Sequence, residues 1–376
     1  MTTKMITGKA TAKGTLRYAE RLAARLTAGH FRQLDEGPQL STLGLGTYLG
    51  ADDGATDALY QDAIVRALEL GVNVLDTAVN YRHQRSERAI RTALATAIAK
   101  GVVERDEVLV ATKGGFIPFD GAVPRDARAY FTATYLESGI VKPGEVVGGA
   151  HCMTPRYLRD QIDRSRVNLG LATLDVYYIH NPETQLGEVK RDEFMTRIRA
   201  AFAALEEAVA GGLIGRYGTA TWSGYREDPG APGYLSLAEL VAAARDVGGP
   251  NHHFKVIQLP YNLAMTEAFT RANQRVDKGM VPVLEAARQL DVYVMASASI
   301  YQGQLSRGLP PMLAKFLPGL ETDAQRALQF ARSTPGVGTA LVGMKTSAHV
   351  DENAKVGATS PMAWKQFQRL FSAAGG

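Results

Sequence analysis

Eight short apolar segments alternate with eight longer amphipathic segments along this chain of 376 residues. Strands that alternate with helices in this way favour a parallel sheet covered by helices. We predict strands at 43–47, 73–76, 108–113, 175–180, 214–220, 255–259, 292–296 and 339–342. The predicted helices cover 57–70, 86–100, 155–169, 192–210, 237–246, 283–290 and 323–332, and the last begins near 347. Eight such units predict an α/β fold, a single (β/α)8 TIM barrel.

The barrel is predicted to span 40–376, with 1–39 as an N-terminal extension packed on it. Three connections after strands are longer than plain loops: 114–154 after the third strand, 260–281 after the sixth and 297–322 after the seventh. Loops that follow strands lie over the C-terminal mouth of a barrel, where active sites are found. We therefore expect these three loops to select the substrate.

Composition narrows the class of partner. Lys and Arg total 42 against 38 acidic residues, a net charge of +4 that is too small to indicate nucleic acid. No apolar run is long enough to span a membrane. Cys152 is the only cysteine, which argues against a disulfide framework and favours a reducing cytoplasm. His252 and His253 lack further ligands at metal spacing, so no metal site is predicted. Nothing in the sequence predicts an oligomeric state.

The first 26 residues are basic, with Glu20 as the single acid, and they lack the apolar core of a secretory signal. We interpret this segment as an arm or helix that docks on the barrel. A transit peptide for an organelle is the alternative, although the segment is poor in serine.

Polar side chains stand at the ends of three successive predicted strands. Asp76 ends the second strand, Lys113 the third and His180 the fourth, and Tyr81 lies in the loop just after the second. A cation beside a phenol lowers the phenol pKa from its usual value of about 10, and a carboxylate can keep a buried lysine charged. A histidine nitrogen can orient a carbonyl oxygen. The four residues therefore predict an acid that protonates an oxygen while a nicotinamide hydride attacks the carbon.

A series of motifs resembles the aldo-keto reductase family, in the family's order. They are LGLGTY at 43–48, DTAVNY at 76–81, RSE at 85–87, ATKGG at 111–115, DVYYIHNPE at 175–183, RYGTATW at 216–222, QLPYN at 258–262, QGQL at 302–305 and LVGMKTSAHVDEN at 341–353. The resemblance implies a barrel that reduces an aldehyde or ketone with NADPH. It implies the catalytic roles for Asp76, Tyr81, Lys113 and His180, with Tyr81 as the general acid.

The resemblance also implies which residues hold the cofactor. Gln258 would bond the nicotinamide carboxamide, and residues 343–353 would hold the adenosine end. Lys345 lies where a helix is predicted to begin, and a cation beside free backbone N–H groups favours a 2′-phosphate, hence NADP(H) over NAD(H). The full set of expected cofactor contacts is Thr47, Asp76, Asn181, Thr221, Gln258, Gly343, Lys345, Thr346, His349, Glu352 and Asn353.

The chain departs from the family pattern around the nicotinamide. Ala220 and Thr221 stand where the family usually has Ser and then Asn or Arg, and Ser297 stands where many members stack an aromatic ring. Both departures predict weaker binding of the nicotinamide ring. Tyr301 and Trp222 are the candidates for a substitute ring.

Two alternative functions remain open from the sequence. The first is a regulatory or sensor protein that binds nicotinamide with little turnover, which the departures at Ala220, Thr221 and Ser297 favour. The second is a lyase or aldolase that uses Lys113 as a Schiff base, which leaves the 341–353 segment without a role.

Overall fold

The structure, a computed structural model, describes residues 5–277 and 279–372. Its strands are β1 Phe31–Gln33, β2 Gln39–Ser41, β3 Leu43–Gly46, β4 Val74–Asp76, β5 Leu109–Gly114, β6 Leu174–His180, β7 Ile214–Ala220, β8 Phe254–Pro260, β9 Gln274–Val276, β10 Gly279–Val281, β11 Tyr293–Ser297 and β12 Thr339–Gly343. Its helices are α1 Ala12–Leu22, α2 Gly54–Glu69, α3 Arg85–Ala99, α4 Ala127–Phe131, α5 Pro155–Leu169, α6 Arg191–Ala210, α7 Leu237–Gly248, α8 Glu267–Thr270, α9 Val283–Gln289, α10 Met312–Phe316, α11 Asp323–Ser333, α12 Ser347–Ala354 and α13 Trp364–Ser372.

Eight parallel strands close into a barrel in the order β11-β12-β3-β4-β5-β6-β7-β8. The predicted (β/α)8 barrel is thereby confirmed, and every predicted strand and helix is present. The largest shift in a helix start is at α2, which begins at Gly54 rather than at 57. Asp53 explains the earlier start, because its side chain accepts a hydrogen bond from the Thr56 N–H at 2.8 Å and caps the helix.

The barrel strands separate two apolar layers. One cluster fills the interior, with Val74, Leu109, Val176, Val256 and Met295 among its members. The other cluster lies between the strands and the helices around them. Strand residues of alternating direction supply the two layers, as a parallel barrel requires. Within the described part of the chain, no helix combines the length and the apolar composition needed to cross a membrane.

The N-terminal end of the barrel is closed by residues that precede the first barrel strand. Strands β1 and β2 form an antiparallel hairpin. Leu34 and Leu40 of this hairpin are buried in the interior cluster. The hairpin therefore covers the end of the barrel opposite the ends of the strands that carry Asp76 and His180.

Helix α1 docks on the outside of the barrel. Its Arg17 and Arg21 both bond the buried carboxylate of Glu107, each at 2.9 Å. The Tyr18 hydroxyl donates to the carbonyl of Leu68 at 2.5 Å. Two of the basic residues that could have indicated a transit peptide are thus engaged in contacts with the barrel.

The long loops contain short elements that the sequence pattern did not predict. The connection after β5 carries α4 and a π-helical turn at Thr132–Leu136, and its Tyr135 and Cys152 form an apolar cluster with Tyr157 of α5. The connection after β8 carries α8 and the β9–β10 hairpin, and the one after β11 carries α10. These elements are three to five residues long, too short to show a hydrophobic period.

Candidate active site

A cavity of about 820 Å³ opens at the C-terminal end of the barrel. All eight barrel strands contribute to its lining. Seven strands contribute residues near the strand end or immediately after it, and β5 contributes Phe116, two residues beyond its end. His180 pairs with Ala220 across β6 and β7, and Ala220 pairs with Gln258 across β7 and β8. Because these residues are paired in register, the side chains of His180, Ala220 and Gln258 lie at the same height along the barrel axis, at its C-terminal end.

Lys113 and Asp76 form a buried ion pair beneath this cavity. The Lys113 ammonium donates to Asp76 Oδ2 at 2.7 Å and to the Thr77 carbonyl at 2.7 Å. Asp76 Oδ1 accepts from the side-chain amide of Gln258 at 2.7 Å. Burial lowers the pKa of Lys113, but Asp76 and Tyr81 raise it by more, so the lysine stays protonated.

Tyr81 lies over the ion pair. The Lys113 nitrogen is 4.7 Å from the centre of the Tyr81 ring. Burial raises the pKa of the Tyr81 phenol, and the charge of Lys113 opposes the rise without cancelling it. The expected net lowering of this pKa is therefore wrong. The phenol is held in its protonated form, which is the form that can donate a proton.

The backbone after Tyr81 is held in an unusual conformation. Arg82, His83 and Gln84 all have positive φ angles, of 47°, 52° and 72°. The guanidinium of Arg82 fixes this turn by bonding the Ala51 carbonyl at 2.8 Å and Asp57 at 2.7 Å. Consecutive left-handed residues are costly and persist only where their surroundings impose them. The turn therefore determines where the phenol points.

His180 faces Tyr81 across the cavity floor. The two ring centres are 5.8 Å apart, and the Phe116 ring lies 5.1 Å from His180. Burial, assisted by the charge of Lys113, holds the pKa of His180 well below its ordinary value. The imidazole is therefore neutral near neutral pH, with one nitrogen as a donor and the other as an acceptor.

The cavity brings together almost all the residues expected to hold a cofactor. It is lined by Thr47, Asp76, Asn181, Thr221, Gln258, Gly343, Lys345, His349, Glu352 and Asn353. Thr346 does not line it. Its hydroxyl instead accepts from the His349 N–H at 3.3 Å and caps α12, so Thr346 shapes the helix start at which Lys345 lies.

The residues that depart from the family pattern also lie in this cavity. Ser297 lines it, and the Thr221 hydroxyl is buried without a partner among the described residues. Trp222 lines the cavity and is 44% exposed, whereas Tyr301 does not line it. Of the two rings considered as substitutes, only Trp222 is therefore in place.

Several cavity residues were not predicted from the sequence. Tyr48 and Asn80 line the cavity beside the expected residues Thr47 and Tyr81. Ser299, Ile300 and Gln302 line it from the long loop after β11. Tyr48 and Asn80 are adjacent to predicted site residues, and that proximity was a usable signal. The loop residues carry no such signal, because their positions depend on the loop conformation.

An α/β barrel with a cavity at the ends of its strands, and polar side chains on the cavity floor, defines a broad class of enzyme-like folds. Within that class the family is specific: the aldo/keto reductase family model matches residues 42–310. The chain belongs to the aldo/keto reductase family.

Known proteins agree with this membership. An aldo/keto reductase of Synechocystis is 26% identical over 207 residues, 53% of this chain and 50% of that protein. The 6-dehydroglucose reductase of Novosphingobium aromaticivorans is 28% identical over 156 residues, 41% of this chain and 42% of that protein. The chain thus matches about half or less of the length of these relatives. A Klebsiella pneumoniae aldo/keto reductase solved with NADP and acetate has a TM-score of 0.60 at 20% identity, covering 92% of this chain and 95% of that one. That likeness supports the fold.

Proposed function

We propose that this protein reduces an aldehyde or a ketone to an alcohol with NADPH. The observation that carries the proposal is the buried Lys113–Asp76 pair at 2.7 Å beneath the Tyr81 phenol, on the floor of the strand-end cavity. These residues can deliver a proton to a carbonyl oxygen, but none of them supplies the hydride that must attack the carbonyl carbon. A nicotinamide cofactor supplies the hydride that the arrangement lacks.

Tyr81 is proposed as the general acid. Its phenol is protonated near neutral pH, and it loses its proton to the carbonyl oxygen as negative charge develops there. The ammonium of Lys113 stabilises the phenolate that remains. Asp76 favours the charged form of Lys113, because its carboxylate offsets the cost of burying the ammonium.

His180 is proposed to orient the carbonyl. A neutral imidazole can donate one hydrogen bond to the substrate oxygen without competing with Tyr81 as an acid. The two ring centres are 5.8 Å apart, so the Tyr81 hydroxyl and a ring nitrogen of His180 are close enough to contact the same substrate oxygen. The two groups together fix the position of the oxygen that receives the proton.

The residues present fit NADPH. The cavity of about 820 Å³ lies within the range of sites that bury a ligand of this kind. Asn353 has a buried side-chain oxygen, and Thr221 a buried hydroxyl, without a partner among the described residues. The side-chain amide of Gln258 donates one N–H to Asp76, so its oxygen can accept a hydrogen bond from the nicotinamide carboxamide. Lys345 and His349 at the start of α12 would hold the 2′-phosphate.

The test is a turnover assay with a matched variant. The purified protein should consume NADPH in the presence of aldehydes and ketones, followed by the loss of NADPH absorbance. Tyr81→Phe removes only the hydroxyl, so it should bind NADPH with unchanged affinity and lose turnover. Turnover by Tyr81→Phe at the wild-type rate would overturn the assignment of the acid.

A regulatory nicotinamide-binding protein is the second candidate. Ser297 and Ala220 favour it, because neither supplies the ring stacking or the hydrogen bonds that hold nicotinamide in place. Tight NADPH binding without turnover over a broad carbonyl panel would support this candidate. The lyase alternative is disfavoured, since Lys113 is fully buried, protonated and not among the residues that line the cavity.

A further inference from the structure

The charges of the cavity are segregated. Lys345 is the only lysine or arginine among the described residues that line it, and it follows β12. Strand β12 lies four strands from β6, halfway around the closed barrel of eight. The cation of the cavity is therefore on the side opposite His180.

Besides the uncharged amides of Asn80 and Asn181, the groups around the catalytic floor are mainly aromatic and apolar. Tyr48 packs edge-on against Tyr81 at 5.0 Å, and Phe116 packs edge-on against His180 at 5.1 Å. Trp222 and Leu49 complete the walls and are 44% and 40% exposed. A flat apolar body packs well on such rings. A carboxylate there would lose its hydration without meeting a cation.

We infer that the substrates are uncharged carbonyl compounds with a flat apolar body, and that compounds carrying a carboxylate near the carbonyl are rejected. This inference rests on the proposed reductase function. It narrows the substrate class of the same site. Carboxylates are excluded because no cation lies near the catalytic residues, and flat apolar compounds are accepted because they pack on the aromatic walls.

The experiment compares para-formylbenzoate with its methyl ester, which differ in charge but present the same aldehyde on the same ring. We expect kcat/KM for the ester to exceed that for the carboxylate by about 10-fold or more. Tyr48→Arg should narrow the ratio by raising the rate with the carboxylate, and Tyr48→Met should leave the ratio as it is.

The outcomes separate the two proposals. If no carbonyl compound consumes NADPH, the proposed function fails. If the carboxylate is reduced as well as the ester, the function stands and the inference about charge is overturned. If glyceraldehyde, which is uncharged but polar, is preferred over the ester, the inference about the flat apolar body is overturned.

A separate observation concerns His151, at the end of the long connection after β5. Its ring is fully buried, and His151 Nε2 lies 2.8 Å from the backbone carbonyl of His180. Gly115 has a φ of +142°, and a Cβ there would lie 2.8 Å from His151 Nε2. The absence of a side chain at residue 115 therefore makes room for this contact.

Two further contacts decide which nitrogen of His151 carries the proton. Arg197 can only donate, and it donates to Gln185 Oε1 at 2.6 Å. The amide N–H of Gln185 must therefore face His151 Nδ1, 2.9 Å away, which accepts. The proton is left on His151 Nε2, which donates to the His180 carbonyl. Burial lowers the pKa of His151 to about 4, so this neutral form persists near neutral pH.

The geometry points to His151 as a positioning residue for His180. It ties the strand end that carries the catalytic imidazole to the 114–154 connection, through a chain that runs back to Gln185 and Arg197. Phe116 packs at 5.2 Å on His151 and at 5.1 Å on His180, so the same chain also holds one wall of the cavity.

His151→Leu and His151→Gln test this role. The leucine variant removes the donor and should lower kcat by about 10- to 100-fold while NADPH affinity stays within about 2-fold of wild type. The glutamine variant places an amide N–H near the position of Nε2 and should recover most of the activity. The role would be overturned if both variants lost the same melting temperature but kept the wild-type kcat. It would also be overturned if both variants bound NADPH normally and the glutamine variant did not recover kcat.

Discussion

The Nζ of Lys113 lies 4.7 Å from the centre of the Tyr81 ring and is hydrogen bonded to Asp76 rather than exposed to the cavity. The lysine therefore acts on the phenol through its charge and a side-chain hydrogen bond, and it is not among the residues that line the cavity. This relationship separates the two proposed tasks of the site, because the ion pair influences the acidity of the Tyr81 phenol while Tyr81 and His180 are proposed to contact the carbonyl oxygen.

Replacing the proposed acid should remove the chemical step alone. In Tyr81→Phe we expect kcat to fall by about 10²- to 10⁴-fold, the usual contribution of a positioned acid. NADPH affinity, followed by quenching of protein fluorescence, should be unchanged. A fall in NADPH affinity that matches the fall in kcat would instead assign Tyr81 to cofactor binding.

Breaking the buried ion pair should cost stability as well as activity. Asp76→Asn leaves the Lys113 ammonium buried without a carboxylate, and we expect the free energy of unfolding to fall by about 3–5 kcal/mol. Urea denaturation measures this change. Adding Lys113→Met to Asp76→Asn removes the unpaired charge and should recover part of the stability. No recovery in the double variant would mean that packing, rather than charge, causes the loss.

His30 should make the fold sensitive to acid. It is buried beneath the barrel, and burial, with help from the charge of Arg332, lowers its pKa from 6.5 to about 4. Well above pH 6.5 the residue is neutral in both the folded and the unfolded state. As the pH falls from 6.5 towards 4, His30 binds a proton in the unfolded chain but stays neutral in the folded protein. The free energy of unfolding therefore falls by about 3 kcal/mol through this residue.

The check is the pH dependence of urea unfolding in His30→Gln. Its free energy of unfolding should fall between pH 6.5 and 4 with a slope smaller than that of wild type by about 1.4 kcal/mol per pH unit. Parallel curves for the two proteins would show that His30 does not bind the proton.

Lys345 should determine the preference between the two nicotinamide cofactors. Lys345→Met removes the cation at the start of α12, and we expect NADPH to bind about 10-fold more weakly because a 2′-phosphate loses a charged partner. NADH lacks that phosphate, and its affinity serves as the control. An equal loss for both cofactors would place Lys345 at another part of the cofactor.

Ser297 offers a substitution that should improve binding. An aromatic ring at this cavity position can stack on nicotinamide, and Ser297→Phe should tighten NADPH binding by about 2- to 10-fold. Ser297→Ala controls for the loss of the hydroxyl and should leave the affinity near that of wild type. A weaker NADPH complex in the phenylalanine variant would show that the pocket has no room for the ring.

The barrel and the residues at its strand ends could be predicted because a parallel barrel converts chain position into spatial position. Asp76 and His180 each end a strand and Lys113 lies one residue before the end of β5, so knowing the strands was enough to place them at one end of the barrel. The direction of the Tyr81 pKa could not be predicted, because it depends on how deeply the phenol is buried. The contact between His151 and His180 could not be predicted either, because His151 lies in the long 114–154 connection, whose path depends on tertiary packing.

The closure of the sheet joins the first barrel strand to the last, with Gly46 beside Gly343. During synthesis β3 therefore emerges almost three hundred residues ahead of its partner β12. Until that partner arrives, β3 and β11 are open edges able to pair with other nascent chains. A truncation before residue 339 should leave these edges permanently bare, and an insoluble product is expected rather than a smaller working enzyme.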